Sequence, residues 1–243
     1  MNETVAPPPA RSSGTLGAAI AGGVIGSVLT AVALIVAAPD FLASRMVRQG
    51  LLADPAILSD TVDAMRDAQY QPVLQANRAA IETPFASSWK GAAKPDVTLV
   101  EFYDYACPYC KASNPFIDRL LKEDKGLRVV YRELPILGPD SLTAARVSLQ
   151  ASKAGRFAQF HDALWGAGRP AADTIAAASQ AAAVAPAARN DPEIEAELKR
   201  NFGLAGQLGA TGTPLFIVGD KVLNGAVGYD ALKDAIAKAR RAS

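Results

Sequence analysis

The chain has 243 residues with 25 basic and 24 acidic side chains, a formal net charge of +1. That balance excludes a surface built to hold nucleic acid. With one His and two Cys, the chain also has too few ligands for a structural zinc site, which takes four. The length suits one globular domain of about 150 residues with an addition at its N-terminus.

Residues 1–13, with Pro7-Pro8-Pro9, read as a disordered tail. Residues 14–38 then run for 25 positions without a charge, more than the roughly 20 needed to span a bilayer. A cleaved signal peptide has a shorter apolar core and a more basic start. Here the start holds only Arg11, so an uncleaved transmembrane signal anchor is favoured, and cleavage near Val36-Ala37-Ala38 is the alternative. Residues 39–94 form a helical linker and a candidate oligomerisation segment. Asp54-Pro55 is an N-cap followed by Pro at N1. Ile57, Leu58, Val62 and Met65 recur at helical spacing beyond it, and the pattern is expected to break near Pro72. Residues 87–95 read as a flexible join.

The catalytic domain is expected over 95–243. Residues 96–103 are rich in β-branched and aromatic side chains and predict a buried strand. Cys107-Pro108-Tyr109-Cys110 follows, then Phe116, Leu120 and Leu121 at helical spacing. A Cys-x-x-Cys where a strand hands over to a helix is a redox signature. The unpaired N–H groups of a first helical turn favour a thiolate at Cys107, and Pro108 suits a helical position that needs no donor. Cys107 is then the exposed attacking sulfur and Cys110 the inward-facing resolving one. A structural disulfide would close too small a loop to contribute much. The intervening Pro-Tyr brings no positive charge, so an oxidising pair of moderate strength is expected. Residues 127–134 predict a second strand and 139–209 a helical insertion, with Phe157, Phe160 and Leu164 on one face and Ile194, Leu198 and Phe202 on another. His161 reads as a surface or packing residue and Asp104 as a turn residue. Strands return at 214–218 and 221–223, and a last helix runs from Tyr229 into Lys238, Arg240 and Arg241.

Thr213-Pro214 opens the third strand, where proline marks an edge or a special turn. Together with the Cys-x-x-Cys, this resembles the thioredoxin-fold superfamily. Residues 101–111, 133–139 and 225–230 are similar to the DsbA-type branch, in its Com1-like and ScsC-like members, over residues 45 to 242. The resemblance implies an α/β thioredoxin fold with a helical insertion domain, preceded here by the transmembrane helix and the amphipathic segment. It also implies that Pro214 is a cis-proline facing the disulfide and that the backbone of Thr213 holds the partner polypeptide, next to Pro108 and Tyr109. Glu101 matches the buried acid that takes the proton of the resolving cysteine. The activity implied is thiol:disulfide exchange on substrate proteins, with no cofactor beyond the Cys107–Cys110 disulfide and no metal. A second redox protein would reset the pair, and a homo-oligomer fits the amphipathic segment. Disulfide chemistry places the catalytic part in the periplasm, anchored in a bacterial inner membrane, or secreted there after cleavage. Tyr109 and Thr213 are closer to isomerase and reductase members, so the direction of electron flow stays open. Cu(I) handling and holdase activity on the same scaffold are the rival functions.

Overall fold

The computed structural model describes residues 39–185 and 191–242. The tail over 1–13 and the anchor expected over 14–38 lie outside the described residues, and among these no helix is long and apolar enough to cross a membrane. The chain divides into two compact units, 1–62 and 63–243. In the first lie helix α1 (Pro39–Ala53) and the beginning of α2 (Ala56–Glu82). The Ala56 N–H donates to Asp54 Oδ1 at 3.1 Å, the N-cap that Asp54-Pro55 predicts. Met46, Val47, Leu52, Ile57, Leu58 and Val62 are exposed.

The second unit is built on a five-stranded sheet of β1 (Trp89–Gly91), β2 (Val97–Tyr103), β3 (Leu127–Glu133), β4 (Leu215–Val218) and β5 (Lys221–Asn224), in the order β1-β3-β2-β4-β5. Only β2 and β3 run parallel. Helix α3 (Pro108–Glu123) makes the crossover between them, and α4 (Pro139–Lys153), α5 (Phe157–Ala167), α6 (Ala172–Ala181) and α7 (Pro192–Gln207) form the insertion between β3 and β4. Helix α8 (Tyr229–Ala242) closes the chain. The two faces of β2 feed two cores, as strand alternation requires. Leu99 and Tyr103 pack with Ile117, Leu120, Phe160 and Leu232 on one side. Val100 and Phe102 pack with Leu74, Ile81, Leu204 and Leu208 on the other.

Four expectations change. The break near Pro72 is absent, because α2 runs through it. Burial of Leu74 and Ile81 in the second core supplies tertiary packing that outweighs the local cost of proline, about 3 kcal/mol. Residues 63–94 are therefore part of the sheet domain rather than linker. Within the supposed flexible join, Trp89–Gly91 forms β1, paired Lys90↔Val129. Three residues that include Lys and Gly carry no alternation for a sequence to show. Finally, Phe202 is exposed although Ile194 and Leu198 are buried. The buried stripe of α7 continues through Asn201, Leu204 and Ala205 instead, following the 3.6-residue period.

Asn201 lies there because of Arg132, a charged residue enclosed in β3. Its guanidinium donates to Glu197 Oε1 at 2.8 Å and to Asn201 Oδ1 at 3.0 Å. It also donates to the carbonyls of Ile81 at 3.0 Å and Thr83 at 2.7 Å, and to that of Ala80. One side chain thus satisfies the open carbonyls at the C-terminal end of α2 and ties that end to β3 and α7. Arg132→Met is expected to cost about 3 kcal/mol, because it strips the donor from buried Glu197 Oε1, Asn201 and three backbone carbonyls, while Arg200 still holds Glu197 Oε2 at 2.6 Å. Urea unfolding at unchanged m-value would measure this, and a loss below about 1 kcal/mol would show the clamp to be dispensable.

Candidate active site

Strand β2 delivers the chain to Asp104, and the turn ends at Cys107, the N-cap of α3 with φ −80 and ψ 117. Pro108 takes the first helical position, as the sequence predicts. The Cys107 N–H donates to the Asp104 carbonyl at 2.9 Å and its own carbonyl accepts from Lys111 at 3.1 Å. Both cysteines are unbridged thiols. Cys107 is 4% exposed, so it is less open than an attacking sulfur was expected to be, and Cys110 is completely enclosed. Pro108 and Tyr109 stand exposed beside them, Tyr109 at 64%.

The two sulfurs differ by environment. Cys107 is pulled down from 9.0 to about 5, first by the hydrogen bond from the Cys110 thiol, then by one from Thr213, and last by the backbone N–H groups of Cys110 and Tyr109, against the opposing effect of burial. Cys110 is pushed far above the ordinary thiol range by burial, by the hydrogen bond it gives Cys107 and by the nearby Glu101. Across the site, the Thr213–Pro214 bond is cis, and the Thr213 carbonyl accepts from the Cys107 Sγ thiol at 3.2 Å. Pro214 is buried, directly before β4. The pair Glu101↔Phe216 in the β2–β4 ladder carries Thr213 to this place.

Glu101 lies in β2 at 1% exposure, and neither carboxylate oxygen has a hydrogen-bond partner. Burial raises its pKa from 4.5 to about 8, the Cys107 charge adds to this, and the Lys90 ammonium works against it. The acid is therefore held protonated at neutral pH within electrostatic reach of both cysteines. Thus Cys107, Cys110, Glu101, Thr213 and Pro214 come together, with Pro108 and Tyr109 at the rim.

Several groups at the site were not singled out or were read differently. Asp104, read as a turn residue, is buried, and both its oxygens accept backbone N–H groups, Ala106 at 2.7 Å on one and Ile136 and Leu137 at 2.8 and 2.9 Å on the other. Its position between a buried strand and the first cysteine was the only available signal. Glu133 is buried, accepts from the Tyr103 hydroxyl and has its pKa raised above the carboxylate range by burial. His161 is fully enclosed rather than at the surface. Trp165 Nε1–H donates to its Nε2 at 3.2 Å, so its proton resides on Nδ1, which faces the Tyr105 hydroxyl at 3.2 Å. Burial depresses its pKa well below 6.5, and the imidazole is a neutral structural link between α5 and the turn before Cys107.

A family model described as DSBA-like thioredoxin domain matches residues 98–237. The chain is similar to a thioredoxin-like oxidoreductase from Silicibacter pomeroyi DSS-3, at 36% identity and a TM-score of 0.65, covering 69% of this chain and 99% of that one. It is also similar to a periplasmic thioredoxin-like protein from Salmonella enterica serovar Typhimurium, at 32% identity, a TM-score of 0.62, and 68% and 95% coverage. The catalytic domain of Proteus mirabilis ScsC matches at 27% identity and a TM-score of 0.65, with 70% and 98% coverage. Among curated proteins, a Na(+)/H(+) antiporter NhaA 1 of Salinispora arenicola is 29% identical over 158 residues, which are 62% of this chain and 24% of that protein. A Na(+)/H(+) antiporter NhaA 3 of Salinispora tropica is 35% identical over 77 residues, 31% of this chain and 12% of that protein. The chain thus spans a quarter or less of the curated relatives that it matches. The family model covers more than half of the chain, from the first residues of β2 into α8, and the chain belongs to the DSBA-like thioredoxin domain family.

Proposed function

We propose that the chain is a membrane-anchored protein thiol:disulfide oxidoreductase whose catalytic part works in the periplasm. The observation that carries the chemistry is the placement of its two sulfurs: Cys107 is the N-cap of α3, where hydrogen bonds favour its thiolate, while Cys110 is enclosed one turn further in, where burial keeps it protonated. The Cys107 thiolate attacks a disulfide sulfur of the partner and expels the partner's other sulfur as thiolate. Cys110 then attacks Cys107, the partner's remaining sulfur leaves, and the Cys107–Cys110 bond forms. Run backwards, the same steps deliver a disulfide to a reduced partner.

Cys110 must lose its proton to attack, and Glu101 is placed to take it. The Cys107 charge helps to keep Glu101 protonated. In the mixed disulfide that charge is gone, so Glu101 ionises more readily and accepts the Cys110 proton when it is needed. Thr213, Pro214, Pro108 and Tyr109 border Cys107 and would carry the partner's backbone. A thiol pKa near 5 lies between the values of about 7 for thioredoxin and about 3.5 for DsbA, which supports an oxidant of intermediate strength. Periplasmic placement is supported by the compartment in which disulfides persist. Anchoring is supported by the 25 uncharged residues over 14–38. The exposed Met46, Val47, Leu52, Ile57, Leu58 and Val62 favour a homo-oligomer formed through the first unit. A second redox protein is needed to restore the pair after each turnover.

In the reduced protein, the alkylation rate of Cys107 should rise with pH around a midpoint near 5 while Cys110 stays unmodified. A midpoint above about 8, the ordinary thiol range, would remove the thiolate on which the mechanism rests. Cys110→Ala should accumulate mixed disulfides with substrate proteins, and a variant that catches none would argue against exchange on proteins. Glu101→Gln should slow release of the partner from the mixed disulfide at pH 7 by about 100-fold or more without moving the alkylation midpoint. Stopped-flow mixing with a disulfide peptide would measure it. Tyr109→His should make the disulfide more oxidising, since an imidazolium there favours the thiolate. A glutathione titration giving an unchanged or more negative potential would count against this.

A further inference from the structure

Resolution of the mixed disulfide puts charge on a sulfur that is sealed from water. Cys110 is fully enclosed, so the thiolate it becomes when Glu101 takes its proton has no solvent around it. A charge formed in such a place needs a donor already aimed at it. The main-chain N–H of Asp104 is one, hydrogen-bonded to the Cys110 sulfur.

The end of the sheet leaves this N–H free. The β2–β3 ladder continues to Tyr103↔Glu133, whereas the β2–β4 ladder stops at Phe102↔Leu215. On the β3 side, the Tyr103 carbonyl accepts from the Leu134 N–H at 2.8 Å. In a trans peptide the next N–H points the opposite way. The Asp104 N–H therefore faces the side where β4 no longer offers a carbonyl, and a sulfur takes the place of the missing strand partner.

The rest of Asp104 is fastened around that peptide. Its main-chain carbonyl accepts from the Cys107 N–H at 2.9 Å. Oδ1 accepts from the Ala106 N–H at 2.7 Å, and Oδ2 from the N–H groups of Ile136 and Leu137 at 2.8 and 2.9 Å. A residue that only closed the turn would need the Ala106 bond alone. The loop after β3 instead grips Tyr103 and Asp104 together, through the N–H groups of Leu134, Ile136 and Leu137. Asp104 thus holds both cysteines by its main chain, and its carboxylate fixes where the two main-chain groups point.

We propose that Asp104 is a positioning residue for the resolving step: its fastened carboxylate keeps its own N–H against the Cys110 sulfur, where that N–H stabilises the attacking thiolate. The role rests on the exchange reading above. The Glu101 carboxylate takes the Cys110 proton, and the thiolate is held by the Asp104 N–H. Its electron pair forms the Cys107–Cys110 bond as the bond from Cys107 to the partner breaks, and the partner's sulfur leaves as thiolate.

Single-turnover stopped-flow of the reduced full-length protein with a fluorescent disulfide peptide separates attack by Cys107 from release by Cys110. Asp104→Asn keeps the shape but turns an NH2 toward N–H donors, which loosens the grip on the peptide. Release at pH 7 should slow about tenfold, the scale of one hydrogen bond to a charged group. The attack rate and the Cys107 alkylation midpoint should not move. NMR reads the donor itself: Cys110→Ala should shift the Asp104 amide proton upfield and speed its exchange, leaving the Leu134 amide unchanged. That variant keeps the Asp104 carboxylate and its loop, so it decides the matter if Asp104→Asn does not fold. An Asp104 amide indifferent to Cys110→Ala, or an Asp104→Asn variant that slows attack and release alike, would overturn the proposal. Absence of a release phase in the native protein would instead sink the exchange reading, which the amide comparison does not depend on.

Discussion

A sulfur that must carry negative charge while almost closed off from water is the condition on which the rest of this molecule turns. Burial alone would push the Cys107 thiol up. The hydrogen bond from the Cys110 thiol, helped by Thr213 and by the N–H groups at the N-terminus of α3, outweighs it. One turn further along the same helix the donors are fewer and burial wins, so Cys110 keeps its proton. Two identical side chains acquire opposite states because one stands at the end of a helix and the other inside the core. Strand β2, the Asp104 turn and Pro108 serve to put that helix end where Thr213 can meet it.

The acidic residues around the pair follow the same logic. Glu101 and Asp104 are three positions apart and equally buried. Glu101 has no hydrogen-bond partner and retains its proton, so it can exchange one. Asp104 is engaged on both oxygens by three N–H groups and acts as a tie between segments. Burial does not by itself make a carboxyl reactive; the number of donors facing it decides between a proton carrier and a fastening.

Much of the site was legible in the sequence because its signals are local. A run of β-branched and aromatic residues, a proline at N1 and two cysteines one turn apart each describe their own segment. Thr213-Pro214 was readable through resemblance, since no local feature connects it with a turn more than a hundred residues earlier. Other features were hidden because they depend on distant partners. Arg132 looks like an ordinary charge in a strand until Glu197, Asn201 and the end of α2 surround it. Strand β1 exists because the β3 edge recruits it. Phe202 was assigned to the wrong face because its spacing from Leu198 is as helical as that of Asn201, and only packing separates the two.

The topology of the sheet also sets an order of events. Strand β2 finds its parallel neighbour β3 after a single helix, but its other neighbour, β4, comes after the whole insertion, and the Cys107–Thr213 contact closes a separation of 106 residues. Contacts so far apart form late, because the intervening chain must first give up its freedom. As the polypeptide emerges from synthesis, both cysteines are present before the segment that covers them. During that interval they are accessible to any passing oxidant or thiol, and the helical insertion determines how long the interval lasts.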